Sequence, residues 1–304
     1  VAGLASMNPE APHIDVALAR RLVKSQFPRW ADLDVTPVAN EGWCNRAFRL
    51  GEQMVLRIPR LQAYSDQIKK EYDWLPKLAP RLPLPVPEPL AIGAPSEDYP
   101  WRWSVCRWID GEVAEPERVI DMARFAQDLA NLLTALHGVY AEDGPRPGNH
   151  SFFRGGPLAS YDAETRKAVA ALGSSIDAAA VLEVWDRSLT STWQRPPVWV
   201  HGDVSVGNLL MQRGQLCAVI DFGNLAVGDP ACDLAMNWTV FTAEAREAFR
   251  DELPLDADTW ARGRGWVLWK ALILASGLSS SNAYEASNPK SIIEKVIDDH
   301  RIEA

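Results

Sequence analysis

A chain of 304 residues with 47% hydrophobic content is long enough to bury a large core, either as one large domain or as two lobes. Its 31 Lys and Arg against 40 Asp and Glu leave a net charge of −9 and a sequence pI near 5.1, which argues against the basic surface that a nucleic acid or an anionic membrane demands. No run approaches the length of a membrane span, and the N-terminus lacks a basic region followed by an apolar one. Cys44, Cys106, Cys217 and Cys232 show no paired ligand spacing, so a soluble, unexported, cytoplasmic protein with reduced thiols is expected. Met7 is a candidate natural start, with Val1 to Ser6 then outside the fold.

In chain order, a helix is predicted over Val16 to Gln26. Asn45 to Leu50 and Gln53 to Ile58 alternate around a Gly51-Glu52 turn and read as a strand pair. Tyr64 to Leu78 then puts Ile68, Tyr72, Leu75 and Leu78 at helical spacing. The run LPLPVPEPL, Leu82 to Leu90, is expected to be extended, because each Pro removes a donor and biases its predecessor away from helix. Trp101 to Ile109 reads as the last strand of a first lobe, broken by Asp110-Gly111-Glu112. Beyond that hinge, helical patterns occupy Arg118 to His137, Tyr161 to Leu172, Ile176 to Gln194, Cys232 to Glu252, Asp258 to Leu278 and Lys290 to His300. Gly144 to Pro157 is rich in Pro and Gly and reads as a loop.

The densest chemistry lies between Val200 and Asp233, VHGDVSVGNLLMQRGQLCAVIDFGNLAVGDPACD. Its His-Gly-Asp, Asn and Asp-Phe-Gly are spaced as phosphoryl transfer from a magnesium nucleotide requires. Asp203 would orient a hydroxyl and receive its proton, while Asn208 and Asp221 would hold the metal from two sides. Leu209 to Gln212 and Gln215 to Ile220 read as strands around an Arg213-Gly214 turn. That hairpin returns Asp221 to Asn208, so that hard oxygens converge on one cation. A lone D-F-G is commonly a turn and a lone H-G-D a loop; the ordered combination, with apolar Val198 to Val200 before it and Gly228-Asp229-Pro230 after it, carries the reading. His201 is read as a packing and hydrogen-bonding residue rather than a proton carrier. Asp233 is expected to cap or charge-pair near the N-terminus of the following helix, and Asp229 to be structural or else to face substrate.

The segment resembles the signature of the aminoglycoside phosphotransferase family, kinases of small hydroxylated molecules that share the protein-kinase fold. EGWCNRAFRL, VLRIPR, EYDWLPKLAP, WSVCRWIDGE and RGRGWVLWKALI are similar to its other landmarks, in order, over nearly the whole chain. The resemblance implies an α+β, two-lobed protein-kinase-like fold. Residues 1–109 would form a small nucleotide-binding lobe of antiparallel sheet and helix, and residues 110–304 a large, mostly helical catalytic and acceptor-binding lobe. It also implies Mg2+, ATP or GTP as phosphoryl donor, and a small-molecule hydroxylated acceptor, an aminoglycoside by default.

On the nucleotide side, Arg57 stands where many kinase relatives carry a Lys, with Glu71 as its expected helix partner; a surface Arg–Glu pair is the alternative. There is no G-x-G-x-x-G or Walker sequence, so the turn Glu41 to Arg46 is the substitute. Its Asn45 and backbone would contact phosphate, unless it is a simple strand-to-strand turn. Cys44 departs from the acidic residue expected in close relatives. Cys106 and Trp108 would present hinge backbone groups to the purine, or pack as ordinary strand residues. The acidic balance predicts a negative acceptor groove that prefers a neutral or cationic polyol. Most of Trp238, Trp260, Trp266 and Trp269 are expected to anchor helix packing, with one or two lining the acceptor pocket. Arg57 and Cys44 leave one rival, a nucleotide-binding pseudokinase or interaction module without turnover.

Overall fold

The computed structural model describes residues 13–38, 44–279 and 288–303; the expectations for Met7 and for Glu41 to Trp43 lie outside them. Helix α1 (Val16–Gln26) starts where the Asp15 carboxylate accepts the Leu18 amide at 2.8 Å, satisfying one of the orphan donors of a first turn. Its Leu18, Leu22 and Val23 share a buried cluster with Phe48, Leu50, Leu56, Ile58 and Val105. Those residues line a five-stranded antiparallel sheet of β1 (Val35–Pro37), β2 (Asn45–Leu50), β3 (Met54–Pro59), β4 (Pro89–Gly93) and β5 (Trp103–Arg107), in the order β1-β2-β3-β5-β4.

Helix α2 (Gln62–Leu78) connects the two lobes, since its Leu75 and Leu78 belong to a second core that extends to Ile297. Tyr72 departs from the expected apolar stripe and is 40% exposed. The inward stripe runs instead through Tyr64, Ile68, Glu71 and Leu75, because Glu71 turns in to meet Arg57.

The large lobe is mostly helical. After the two-residue strand β6 (Glu112–Val113), α3 (Met122–His137) begins later than the sequence pattern suggested. Pro116–Arg118 forms a 3-10 turn, and the Asp121 carboxylate caps the helix by accepting the Arg124 amide. Helices α4 (Asp162–Leu172) and α5 (Ala178–Leu189) follow, and α5 stops short of the expected Gln194. Strand β7 (Val198–Val200) pairs with β10 (Ala226–Gly228). Strands β8 (Leu209–Gln212) and β9 (Gln215–Val219) form the expected hairpin, turning through Arg213 at φ 53° and Gly214 at φ 73°, the backbone signs a tight right-twisted turn needs.

The continuous helix expected over Cys232 to Glu252 is broken. Pro230–Asp233 is a 3-10 turn, α6 (Met236–Thr239) is a single turn, and α7 (Ala243–Asp251) starts after the extended Thr242. The break has a tertiary cause, because Asp233 turns into the interior to serve the loop after β7. Helix α8 (Ala257–Ala275), capped by Asp256, is buried along most of its length against α5 and α9 (Pro289–Glu303). Among the described residues no helix is long and apolar enough to cross a membrane.

Candidate active site

Strand β7 is buried and delivers His201, Gly202 and Asp203 to the junction of the lobes. The loop is clamped from below. The Asp233 carboxylate, fully buried, accepts the His201 amide at 2.8 Å and the Gly202 amide at 2.7 Å. Burial pushes its acid strength down and its pKa up, against the lowering pull of His201 and of the two amides. Asp233 therefore holds the loop rather than the helix that follows it. Gly202 sits at φ 83°, and a Cβ there would lie 2.7 Å from the Asn224 carbonyl oxygen, so the loop is specific for glycine.

His201 is fully buried, packed 4.4 Å from the Phe222 ring. Its Nδ1 accepts the Asp203 amide at 3.2 Å, and its Nε2 donates to the Ile220 carbonyl at 3.1 Å. The imidazole thus ties Asp203 to the residue before Asp221. Asn208 completes the other side by donating its Nδ2 to the Asp203 carbonyl at 2.9 Å and to Asp203 Oδ2 at 3.2 Å, while its own carbonyl accepts the Ile220 amide at 2.8 Å. This commits Nδ2 and leaves Oδ1 as the side-chain atom that could hold a cation. Asp221 adopts a left-handed backbone, φ 62° and ψ 64°, a strained choice for a residue with a side chain.

Asp221 Oδ1 accepts from the Arg57 guanidinium at 2.8 Å, and the other arm of the same fork reaches Glu71 Oε2 at 2.7 Å. The surface-pair alternative is therefore replaced by a bridge whose Arg57 and Glu71 side chains are 13% and 4% exposed. Burial alone would depress the Arg57 pKa, but the Glu71 and Asp221 carboxylates outweigh it and hold the guanidinium charged. The sequence-predicted Asp203, Asn208, Asp221, Arg57 and Glu71 are thus brought into one hydrogen-bonded run. Cys44 lies beside it: burial, then the Asp221 and Asp203 charges, push its thiol up, so it is neutral there. Asn45 is buried, with an Oδ1 that has no hydrogen-bond partner.

The hinge residues are placed differently. Cys106 is a buried strand residue opposite Val55, with its thiol at 3.9 Å from Ser104 Oγ. Trp108 donates its amide to the Gln53 carbonyl at 2.8 Å and its indole to Asp110, under the Arg49 guanidinium. That amide is engaged within the protein rather than presented to a ligand. Asp229 does not face substrate either: its carboxylate takes a fork from Arg262, at 2.6 Å and 3.3 Å, and caps the following turn through the Ala231 amide.

Three groups near the site lie outside the sequence-predicted set. Gln67 on α2 donates to Asn224 Oδ1 at 3.0 Å and to the His150 carbonyl, joining the helix to the turn after Asp221. Lys70, also on α2, is buried against His150, with Nζ 2.9 Å from Nδ1 and 3.0 Å from the carbonyl. Its neighbour Lys69 is exposed and pairs with Asp73. Desolvation pulls the Lys70 pKa from 10.5 down to about 7. The sign follows from proton counts. Between about 7 and 10.5 the unfolded chain holds a proton on Lys70 that the folded chain has released, so folding stability rises with pH across that window. Denaturant unfolding of the wild type against Lys70→Met at stepped pH is expected to show the wild type gaining relative stability above pH 7; a constant difference would remove Lys70 from the titration.

The third group belongs to a cleft in the large lobe that opens onto Asp203. Val204, Val206, Val240, Trp266 and Leu274 make much of its wall, and Arg154 and Lys270 are its cations. Asp203 is the one carboxylate among the described residues of that wall, so the described part of the wall is not the acidic surface expected from the net charge. Trp266 takes the pocket-lining role. Trp238, Trp260 and Trp269 anchor packing through Asp299, Phe249 and Tyr161.

An antiparallel small lobe, a helical large lobe and this junction define a kinase-like phosphotransferase. The model of the phosphotransferase enzyme family matches residues 34–266, and the chain belongs to that family. Solved structures resemble it over nearly their whole length. The GDP and kanamycin complex of APH(2")-IIia is 21% identical, with TM-score 0.70, covering 92% of this chain and 98% of that one. The streptomycin-ATP ternary complex of APH(2")-IIa is 18% identical, with TM-score 0.61, covering 93% and 97%. Macrolide 2'-phosphotransferase MphH from Brachybacterium faecium is 23% identical, with TM-score 0.58, covering 92% and 97%. Likeness at these identities shows the fold. No curated protein sequence matches the chain.

Proposed function

We propose that this chain transfers the terminal phosphoryl group of magnesium-bound ATP or GTP to a hydroxyl of a small molecule held in the cleft beside Asp203. The observation that carries the reading is the continuous run from Asn208 through Asp203 and His201 to Asp221, Arg57 and Glu71. Residues 1–109 then act as the nucleotide-binding lobe and residues 110–304 as the catalytic and acceptor-binding lobe. Asp203, facing the cleft, orients the acceptor hydroxyl and takes its proton as the bond to phosphorus forms. Asn208 Oδ1 and the Asp221 carboxylate are hard oxygen donors, few enough to suit a magnesium ion that keeps phosphate and water oxygens. Magnesium bound there would neutralise charge on the transferring phosphates. Arg57, its two arms on Glu71 and Asp221, supplies positive charge on the phosphate side, and Asn45, with its unpartnered oxygen, is a neighbouring polar contact.

The non-catalytic alternative is not favoured, since Asp203, Asn208 and Asp221 are all present and mutually connected through His201 and Ile220. Nucleotide turnover by the purified protein with magnesium, across neutral, cationic and anionic hydroxyl acceptors, is expected to be acceptor-dependent and abolished by a chelator. Nucleotide binding with no phosphorylated product from any acceptor would leave the binding-module reading instead.

A further inference from the structure

We infer that the acceptor of this site is an amphipathic hydroxyl compound, an apolar skeleton bearing one anionic group, and that Arg154 is the residue that receives the anion. The inference rests on the phosphoryl-transfer reading above, and concerns which class of molecule reaches Asp203. The wall of the cleft is built mainly from aliphatic side chains and the Trp266 indole, a surface that gains most by covering apolar atoms. Among the described residues of this wall, Arg154 is a cation with no carboxylate paired to it, and Asp203 is the one carboxylate.

A polycationic acceptor would place an ammonium group against the Arg154 guanidinium, where Asp203 is the one carboxylate among the described residues of the wall. A charge without a partner in a partly desolvated pocket is strongly disfavoured. A carboxylate or similar anion meets the opposite situation.

Arg154 is built for that role. It rises from the irregular segment after Ser151, with its backbone amide held by the Ser151 carbonyl at 2.9 Å and its Cβ packed against Gly202. The guanidinium lies 4.7 Å from the Trp269 ring centroid and 5.0 Å from that of Trp266, so two indoles fix its direction. Its Nε is buried without a hydrogen-bond partner, and no carboxylate among the described residues forms an ion pair with it. Other buried arginines of the large lobe are satisfied by the protein: Arg262 by Asp229, Arg264 by Asp299 and Glu303. A fork that is oriented, partly buried and not neutralised internally beside the reacting carboxylate is a specificity device for an anion, and the aliphatic wall supplies the rest of the affinity.

The test measures binding first and transfer second. Four probes are titrated into the full chain by calorimetry and by quenching of tryptophan emission: a medium-chain carboxylate with a terminal hydroxyl, the diol and the amino alcohol of the same length, and kanamycin. The hydroxy carboxylate is expected to bind about tenfold or more tightly than the diol, and both more tightly than the two cationic probes. Arg154→Gln should erase the advantage of the carboxylate over the diol while leaving diol affinity in place, and Arg154→Lys should restore part of it. Thermal unfolding and nucleotide binding of both variants check that the fold is retained. Kanamycin or the amino alcohol binding as tightly as the hydroxy carboxylate, no probe binding, or a carboxylate preference that survives Arg154→Gln would each overturn the inference. Phosphorylation of kanamycin in preference to the carboxylate would overturn it while sustaining the phosphotransferase reading. Selective carboxylate binding without transfer to any hydroxyl would sustain the pocket assignment and overturn the reaction.

Discussion

An Asp203→Asn protein is expected to bind magnesium nucleotide with nearly unchanged affinity and to lose roughly 10²–10⁴-fold in acceptor phosphorylation. The substitution is close to isosteric, and the loop that carries the residue is held by contacts made elsewhere: Asp233 on the two preceding amides, the His201 imidazole on its own amide, and Asn208 on its carbonyl. What changes is the carboxylate facing the cleft, which would both position a hydroxyl and accept its proton. Because phosphoryl transfer passes through a loose transition state, positioning accounts for part of the effect and basicity for the rest. Asp221→Asn is expected to behave in the opposite way, weakening the metal nucleotide itself, since its carboxylate is the charged member of the proposed metal pair. Calorimetry with magnesium nucleotide, run beside acceptor-dependent turnover, separates the two. Near-normal turnover by Asp203→Asn would remove this residue from the mechanism and with it the kinase chemistry built around it.

How much of this was legible in the sequence depends on how local each feature is. Asp203, Asn208 and Asp221 lie on one short segment, and the Arg213-Gly214 turn fixes how that segment folds back, so periodicity and turn chemistry were enough to bring them together. The Arg57–Glu71 pair was legible from the order of strand and helix. Its continuation to Asp221 was not, because that hydrogen bond spans 164 residues of sequence. Long-range demands also explain the errors. Cys232 to Glu252 carries a helical pattern, yet the need for an acceptor under the His201 and Gly202 amides takes Asp233 out of it. Tyr72 fits the apolar spacing of α2, but the stripe that faces inward is set by Glu71 meeting a buried arginine. The net charge of −9 does not carry over to the described wall of the cleft, because a sum over the whole surface carries no information about a wall whose described residues include one carboxylate, Asp203, and an Arg154 with no carboxylate paired to it. Arg154 itself comes from a segment that reads only as loop, and acquires its orientation from indoles on α8 more than a hundred positions away.

Arg57→Ala is expected to damage stability and nucleotide use together. Arg57 is the only cation hydrogen-bonded to Glu71 and Asp221 among the described residues, and Glu71 is almost fully buried with a second oxygen already lacking a partner. Removing the guanidinium leaves that carboxylate desolvated and uncompensated, a change that costs about 3–5 kcal/mol for a buried pair. Loss of the positive charge proposed to face the phosphates should add a weakening of nucleotide binding on the order of 1.5–3 kcal/mol. The two effects can be uncoupled with the double variant Arg57→Met, Glu71→Leu. Replacing both members by apolar groups of similar volume removes the orphaned charge, so most of the stability should return. Nucleotide affinity should not return with it, because neither substitute offers a donor to a phosphate. Urea unfolding midpoints and nucleotide titrations on the wild type, Arg57→Ala and the double variant read the two quantities separately. If Arg57→Ala unfolds at the wild-type midpoint, the bridge is not a buried constraint on the fold. If the double variant regains nucleotide affinity along with stability, Arg57 acts by holding α2 in place, and the phosphate contact must be assigned to another cation.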